Sequence, residues 1–129
     1  MGKFKGKWRV EEHGPRKIKL LSPISYTTNK GITHTAPEGF VSDGASIPAI
    51  FWIIIGSPFM GKYRRPVITH DLLYATQNVR RRYADRVFLE GMKDDLVSWW
   101  KRRAMYLGVR SGGWWPWYRH AKRLKKEKR

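Results

Sequence analysis

The chain has 129 residues, enough for one domain around one core, and its 41% hydrophobic and 29% charged residues suit a chain that folds. It has no cysteine, which excludes disulfides, thiol nucleophiles and Cys-ligated zinc and favours a reducing compartment or assembly inside a particle. A net charge of +17, with 14% aromatic residues and seven Trp, points to acidic partners: nucleic acid, an anionic membrane surface or an acidic protein.

The N-terminus, Met1-Gly2-Lys3-Phe4-Lys5-Gly6-Lys7, is basic, and no apolar signal region follows it. The longest apolar run, Ile50-Phe51-Trp52-Ile53-Ile54-Ile55, is far too short to span a bilayer. The expectation is a soluble protein with no cleaved signal and no transmembrane segment.

Residues 1–42 read as β-rich. Lys7-Trp8-Arg9-Val10 opens a strand, and Lys17-Ile18-Lys19-Leu20 alternates polar and apolar as a half-buried strand does. Ile24-Ser25-Tyr26-Thr27 continues the alternation after Pro23, which predicts an edge or a bulge. Asn29-Lys30-Gly31 and Pro37-Glu38-Gly39 are turns, and Ile32 to Thr35 and Phe40-Val41 read as further short strands.

Ser42-Asp43-Gly44-Ala45-Ser46-Ile47-Pro48 is a tight polar loop whose Asp-Gly step can aim carbonyl oxygens at a common point. Residues 49–55 predict a short buried element of one or two helical turns, ended by Gly56-Ser57-Pro58, with a loop over 59–64.

From Arg65 the pattern is helical. Pro66 suits a first turn, and the helix runs to about Gln77 before breaking near Asn78. Val67, His70 and Tyr74 share one stripe, with Asp71 on its flank. A second helix over residues 81–93 puts Asp85 on the same face as Phe88, Leu89 and Met92. A carboxylate on an inward apolar face needs a partner. Two kinds are available: His70 on the neighbouring helix, or one of Arg80, Arg81, Arg82 and Arg86.

A third helix starts at Asp95 as N-cap and ends at Gly112-Gly113. Leu96, Trp100, Ala104 and Leu107 form its core stripe. Trp99, Arg102, Arg103, Tyr106 and Arg110 form a second stripe, either a solvated face or an anionic docking face.

Trp114-Trp115-Pro116-Trp117-Tyr118 then precedes a basic run that includes Lys122, Arg123, Lys125 and Lys126. Residues 99–129 hold eleven Lys or Arg and one acid, Glu127. Such an end is either a disordered solubilising tail or a docking element for phosphate or lipid. The expected architecture is α+β. One domain spans residues 1–113, β-rich over 1–42 and helical over 43–113, and a basic aromatic tail or helix covers 114–129. His13, His34 and His120 lie in unrelated contexts without zinc spacing and read as incidental.

The motifs in order resemble a family of small proteins of unassigned function encoded by tailed phages and prophages. They are Gly-Phe-Val-x-Asp-Gly-Ala-Ser-Ile-Pro at Gly39 to Pro48, His-Asp-x-Leu-Tyr at His70 to Tyr74, Ala-Asp-x-x-Phe-x-x-x-Met at Ala84 to Met92, and Met-Tyr-x-x-Val-Arg-x-Gly-Gly at Met105 to Gly113. A weaker resemblance is to prokaryotic phospholipase A2, in which an Asp-Gly loop precedes a helix bearing His-Asp-x-x-Tyr and an antiparallel helix supplies another aspartate.

That resemblance implies a helical pair in which His70 is a general base, Asp85 orients its imidazole and Tyr74 bonds Asp85. It implies Ca²⁺ held by Asp71, Asp43 and the carbonyl of Gly44 or a neighbour, and hydrolysis of phospholipid esters at an anionic membrane during infection or lysis. The alternative is a non-catalytic basic virion or assembly protein that docks on DNA or another virion protein. In that case the His70–Asp85 pair is a structural brace.

Overall fold

The computed structural model describes residues 2–14, 17–44, 46–51 and 61–128. Among the described residues, six short strands form two three-stranded antiparallel sheets. They are β1 (Lys3–Lys5), β2 (Val10–Glu12), β3 (Ile18–Leu20), β4 (Ile24–Thr27), β5 (Thr33–Ala36) and β6 (Val41–Ser42). The strand orders are β1-β4-β5 and β2-β3-β6. Alternation sets the faces: Ile18 and Leu20 are buried with Lys19 between them, and Ile24 and Tyr26 are buried with Ser25 between them.

Three expectations change here. The strand expected at Lys7 begins at Val10, and β1 was not expected. β1 has a single apolar residue, Phe4, and exists because Phe4 lies opposite Tyr26 on β4, ring centroids 4.4 Å apart. β4 is the central strand of its sheet, not an edge: Pro23, which has no N–H to give a ladder, lies just before the strand begins.

Four α-helices follow among the described residues: α1 (Arg64–Thr76), α2 (Arg81–Asp94), α3 (Trp99–Gly112) and α4 (Trp114–Glu127). Short 3-10 turns at Ala49–Phe51 and Gly61–Tyr63 lead into α1. Ile50 is exposed while Phe51 packs against the core, so the turn at 49–51 is only partly the buried element expected there. The rest of that element, residues 52–55, and the Gly56-Ser57-Pro58 stop lie outside the described residues. α1 is the hub. It packs against α2, α4 and strands β4, β5 and β6, which explains why an unbroken run from Pro66 to Tyr74 is buried.

α3 starts four residues later than expected. Asp95 caps α2 instead, donating its N–H to the Gly91 carbonyl, and its carboxylate pairs with Arg65. Leu96 takes a left-handed φ of 63°, so the chain turns before Ser98.

The inward stripe of α3 is Met105, Gly108 and Val109; Leu96, Trp100 and Leu107 are exposed. The helix has two apolar stripes, and the one with the small residue packs. A Cβ at Gly108 would overlap the Phe51 ring, so only Gly lets the helix come this close.

The basic end is not a disordered tail. Trp117 meets Tyr74 edge-on at 5.1 Å, Gln77 donates to the Trp117 carbonyl at 2.7 Å, and Arg123 donates to the Ala75 carbonyl at 3.0 Å.

Candidate functional site

Because α1 and α2 run side by side, their inward residues meet. His70 Nε2 lies 2.7 Å from Asp85 Oδ1, and Tyr74 Oη donates to the same oxygen at 2.7 Å. Both His70 and Asp85 are 0% exposed. The other carboxylate oxygen, Oδ2, accepts from Arg110 at 2.8 Å and from Arg81 at 3.4 Å. Both partner types open to Asp85 in the sequence are therefore realised at once. Arg81 also donates to the carbonyls of Val109 and Arg110, which ties α2 to the end of α3.

The other ring nitrogen faces the polar loop. His70 Nδ1 lies 2.9 Å from Ser46 Oγ, and Ser46 Oγ is also hydrogen-bonded to Asp71 Oδ1. Asp71 Oδ2 accepts from Ser42 Oγ and, at 3.0 Å, from the Gly44 N–H. Asp71 thus gathers the loop over 42–46 onto α1, while its neighbour His70 faces α2, as adjacent helical side chains diverge.

Ser46 couples the two: its single hydroxyl proton goes to Asp71 Oδ1, while its oxygen lies against His70 Nδ1.

The electrostatics differ at the two ends. Burial pushes the Asp71 carboxyl above its usual range, against the pull of the Ser42 and Ser46 hydroxyls, and the nearby Asp43 charge adds to the rise. Burial also acts to raise Asp85. Its bonds from His70, Tyr74 and Arg110 win and hold it below the usual range. Tyr74, buried against that carboxylate, is raised well beyond a free phenol.

On the Asp71 side the network adjoins a surface cavity. It measures about 440 Å³ and is lined by Ser42, Asp43, Asp71, His120 and Arg123, among others. His120 therefore belongs to the surroundings of the site, although its sequence context gave no sign of it. Burial and the Arg123 charge favour its neutral ring.

The structure brings His70, Asp85 and Tyr74 together, and separately Asp71 with Gly44, as the motifs suggest. The Gly44 contact is through its N–H rather than a carbonyl. Hydroxyl and amide hydrogens of the loop point at Asp71 and compensate for the burial of its carboxyl group. Among the described residues no three Asp, Glu or His side chains form a metal-ligand group.

Sequence reasoning gave no role to Ser46 or Ser42, and it placed Arg110 on an outer stripe. Arg110 sits one turn after Tyr106 but bends its guanidinium inward to Asp85, which no periodicity shows. The remaining members of that stripe, Trp99, Arg102, Arg103 and Tyr106, lie away from Asp85. Trp99 is 61% exposed, with the Arg103 guanidinium over its ring at 4.9 Å. Lys122, Arg123, Lys125 and Lys126 lie on the exposed side of α4.

No described helix is long and apolar enough to cross a membrane. Comparison with known proteins finds an uncharacterized protein, y4jT, of Sinorhizobium fredii (strain NBRC 101917 / NGR234), 38% identical over 100 residues. The match covers 77% of this chain and 30% of the relative, so the chain spans under a third of that protein's length. No solved structure matches the chain. A family model for a protein of unknown function matches residues 18–109, which hold the β3–β6 strands, the polar loop and every member of the His70–Asp85 network described above except Arg110. The chain belongs to that family, DUF1353.

Proposed function

We propose that this protein docks on an anionic lipid interface through α3 and α4, with the His70–Asp85 network as the brace that holds those helices on the scaffold. The observation that carries this reading is the exposure of large apolar side chains on a strongly basic surface. Leu96, Trp99, Trp100, Leu107, Trp114, Trp115 and Tyr118 are all more than half exposed. Exposed aliphatic and aromatic residues among Lys and Arg match the chemistry of a headgroup–acyl boundary. A nucleic-acid face would use the cations and rings but gain nothing from Leu96 and Leu107. The sealed state of His70 and Asp85, with every ring nitrogen and carboxylate oxygen bonded to protein, supports the brace. The phage or prophage setting rests on motif order alone.

The test is sedimentation with phosphatidylglycerol vesicles and with phosphatidylcholine vesicles, following Trp emission. Half-burying a ring of roughly 200 Å² at about 25 cal/mol per Å² is worth about 2.5 kcal/mol. Trp114→Ser with Trp115→Ser should therefore weaken binding to phosphatidylglycerol well over tenfold. Binding of an oligonucleotide but not of vesicles would overturn the reading.

A hydrolytic reading is favoured by one specific arrangement. Ser46, His70 and Asp85 stand in the order of nucleophile, base and orienting acid. It predicts fatty-acid release from anionic vesicles, with or without Ca²⁺, that His70→Ala abolishes. Absence of release from wild-type protein bound to vesicles would leave the brace alone.

A further inference from the structure

A second cavity, of about 460 Å³, lies on the side of the molecule formed by the β4–β5 turn, α2 and α3. Its walls carry Lys30, Arg86, Lys93, Arg102 and Arg103, and one acid, Glu90. Glu90 is already engaged, accepting the Asn29 N–H at 2.6 Å. Like charges gathered in a concave site repel one another, and five against one is a cost that an anion removes. Tyr106 adds a hydroxyl to the lining, Tyr83 adds one that already meets His34 Nε2 at 2.9 Å, and Ile32, Val87 and Leu89 add apolar surface. Arg guanidinium groups suit phosphate oxygens through paired N–H donors.

We propose that this groove binds the phosphate of a single anionic phospholipid headgroup. The inference rests on the interfacial docking reading and names its polar contact. Two features select a headgroup. The groove is a local concavity of about 460 Å³, the size class of a small-molecule site. It also adjoins exposed apolar surface, because Arg103 lines the groove and covers the ring of Trp99. A phosphate in the groove would place its acyl chains beside Trp99.

The experiment is a titration of the full chain with soluble glycerol 1-phosphate and with inorganic phosphate, followed by NMR. Vesicle binding of the same proteins is measured in parallel. Saturable shifts confined to Lys30, Arg86, Lys93, Arg102 and Arg103, stronger for glycerol 1-phosphate, are expected. Arg86→Ala and Lys93→Ala should each weaken this binding about fivefold. Both side chains reach the surface, and unchanged unfolding curves would show that the variants are folded. No saturable shift, or shifts that both variants retain, would overturn the groove whatever the vesicles show. Equal response to both soluble ligands would reduce the site to a generic phosphate pocket and overturn the headgroup assignment. An oligonucleotide that displaces glycerol 1-phosphate and is itself lost in Arg86→Ala would reassign the groove to nucleic acid. Groove binding without any vesicle binding would sink the docking reading and leave the phosphate site standing.

Discussion

Ser46 Oγ stands 2.9 Å from His70 Nδ1 and at the same time is bonded to Asp71, so one hydroxyl joins two titratable groups on consecutive residues of α1. Ser46→Ala removes the link and leaves Nδ1 buried without a partner. An unsatisfied buried polar group costs about 1–3 kcal/mol. Urea unfolding should show a loss in that range, and a variant as stable as wild type would show that Ser46 is incidental to the network.

Asp85 bears more. Asp85→Ala strands His70 Nε2, which has no exposed surface, removes the acceptor of Tyr74 and Arg110, and leaves Arg81 only the Val109 and Arg110 carbonyls. Breaking a buried charge network in this way costs about 3–5 kcal/mol. The two Arg side chains are partly exposed and can turn to water, which puts the expected loss near the lower end. Arg65→Ala, which breaks the pair of a partly exposed guanidinium with the largely buried Asp95 carboxylate, should cost less, about 1–3 kcal/mol. Denaturant midpoints of the two variants side by side check the contrast.

The two buried aspartates give stability opposite slopes with pH. Asp85 is depressed in the folded protein, so its contribution is present above the ordinary carboxylate value and is lost as pH falls through the folded value. Asp71 is raised. Above the ordinary value the unfolded chain gives up a proton that the folded one keeps, so stability falls as pH rises until folded Asp71 also ionises. Asp71→Asn should remove the second slope and leave the acid limb intact. Unfolding free energies measured from acid to neutral pH would show it, and an unchanged profile would refute it.

Gly113 joins α3 to α4 with a φ of −74°, which any residue can adopt. It is Gly for lack of space: a Cβ there would overlap Tyr74 Oη and the Val109 carbonyl oxygen. Gly113→Ala should destabilise by about 1–3 kcal/mol, as overpacking does. It should also shift the emission of Trp117, whose ring meets Tyr74. Unchanged emission and stability would mean that the joint has slack.

Much of this was legible in the sequence. Period-two alternation located Ile18 to Leu20 and Ile24 to Thr27, and the 3.6-residue period placed His70, Tyr74 and Asp85 inward, because a buried carboxylate among Phe88 and Met92 is conspicuous. What failed depended on neighbours distant in the chain. β1 is held by pairing with β4. The phase of α3 is set by Phe51 meeting Gly108, and in sequence its exposed Trp stripe looked the more hydrophobic. Arg110 reaches Asp85 by the bend of a long side chain, and Ser46 reaches His70 only once the loop over 42–46 has folded onto α1.

The partners of Asp85 also impose an order of assembly. Tyr74 and His70 are 11 and 15 residues away, and Arg81 is four, so a chain folded only through α2 can already build most of the cluster. Arg110, 25 residues further on, arrives last and brings α3 with it. Local contacts close before distant ones because their loops cost less entropy. Until the final third of the chain has docked, one oxygen of a buried carboxylate lacks its closest cation. The centre of the fold thus acts as a checkpoint, at which a truncated or stalled chain stays incompletely locked and open to proteolysis.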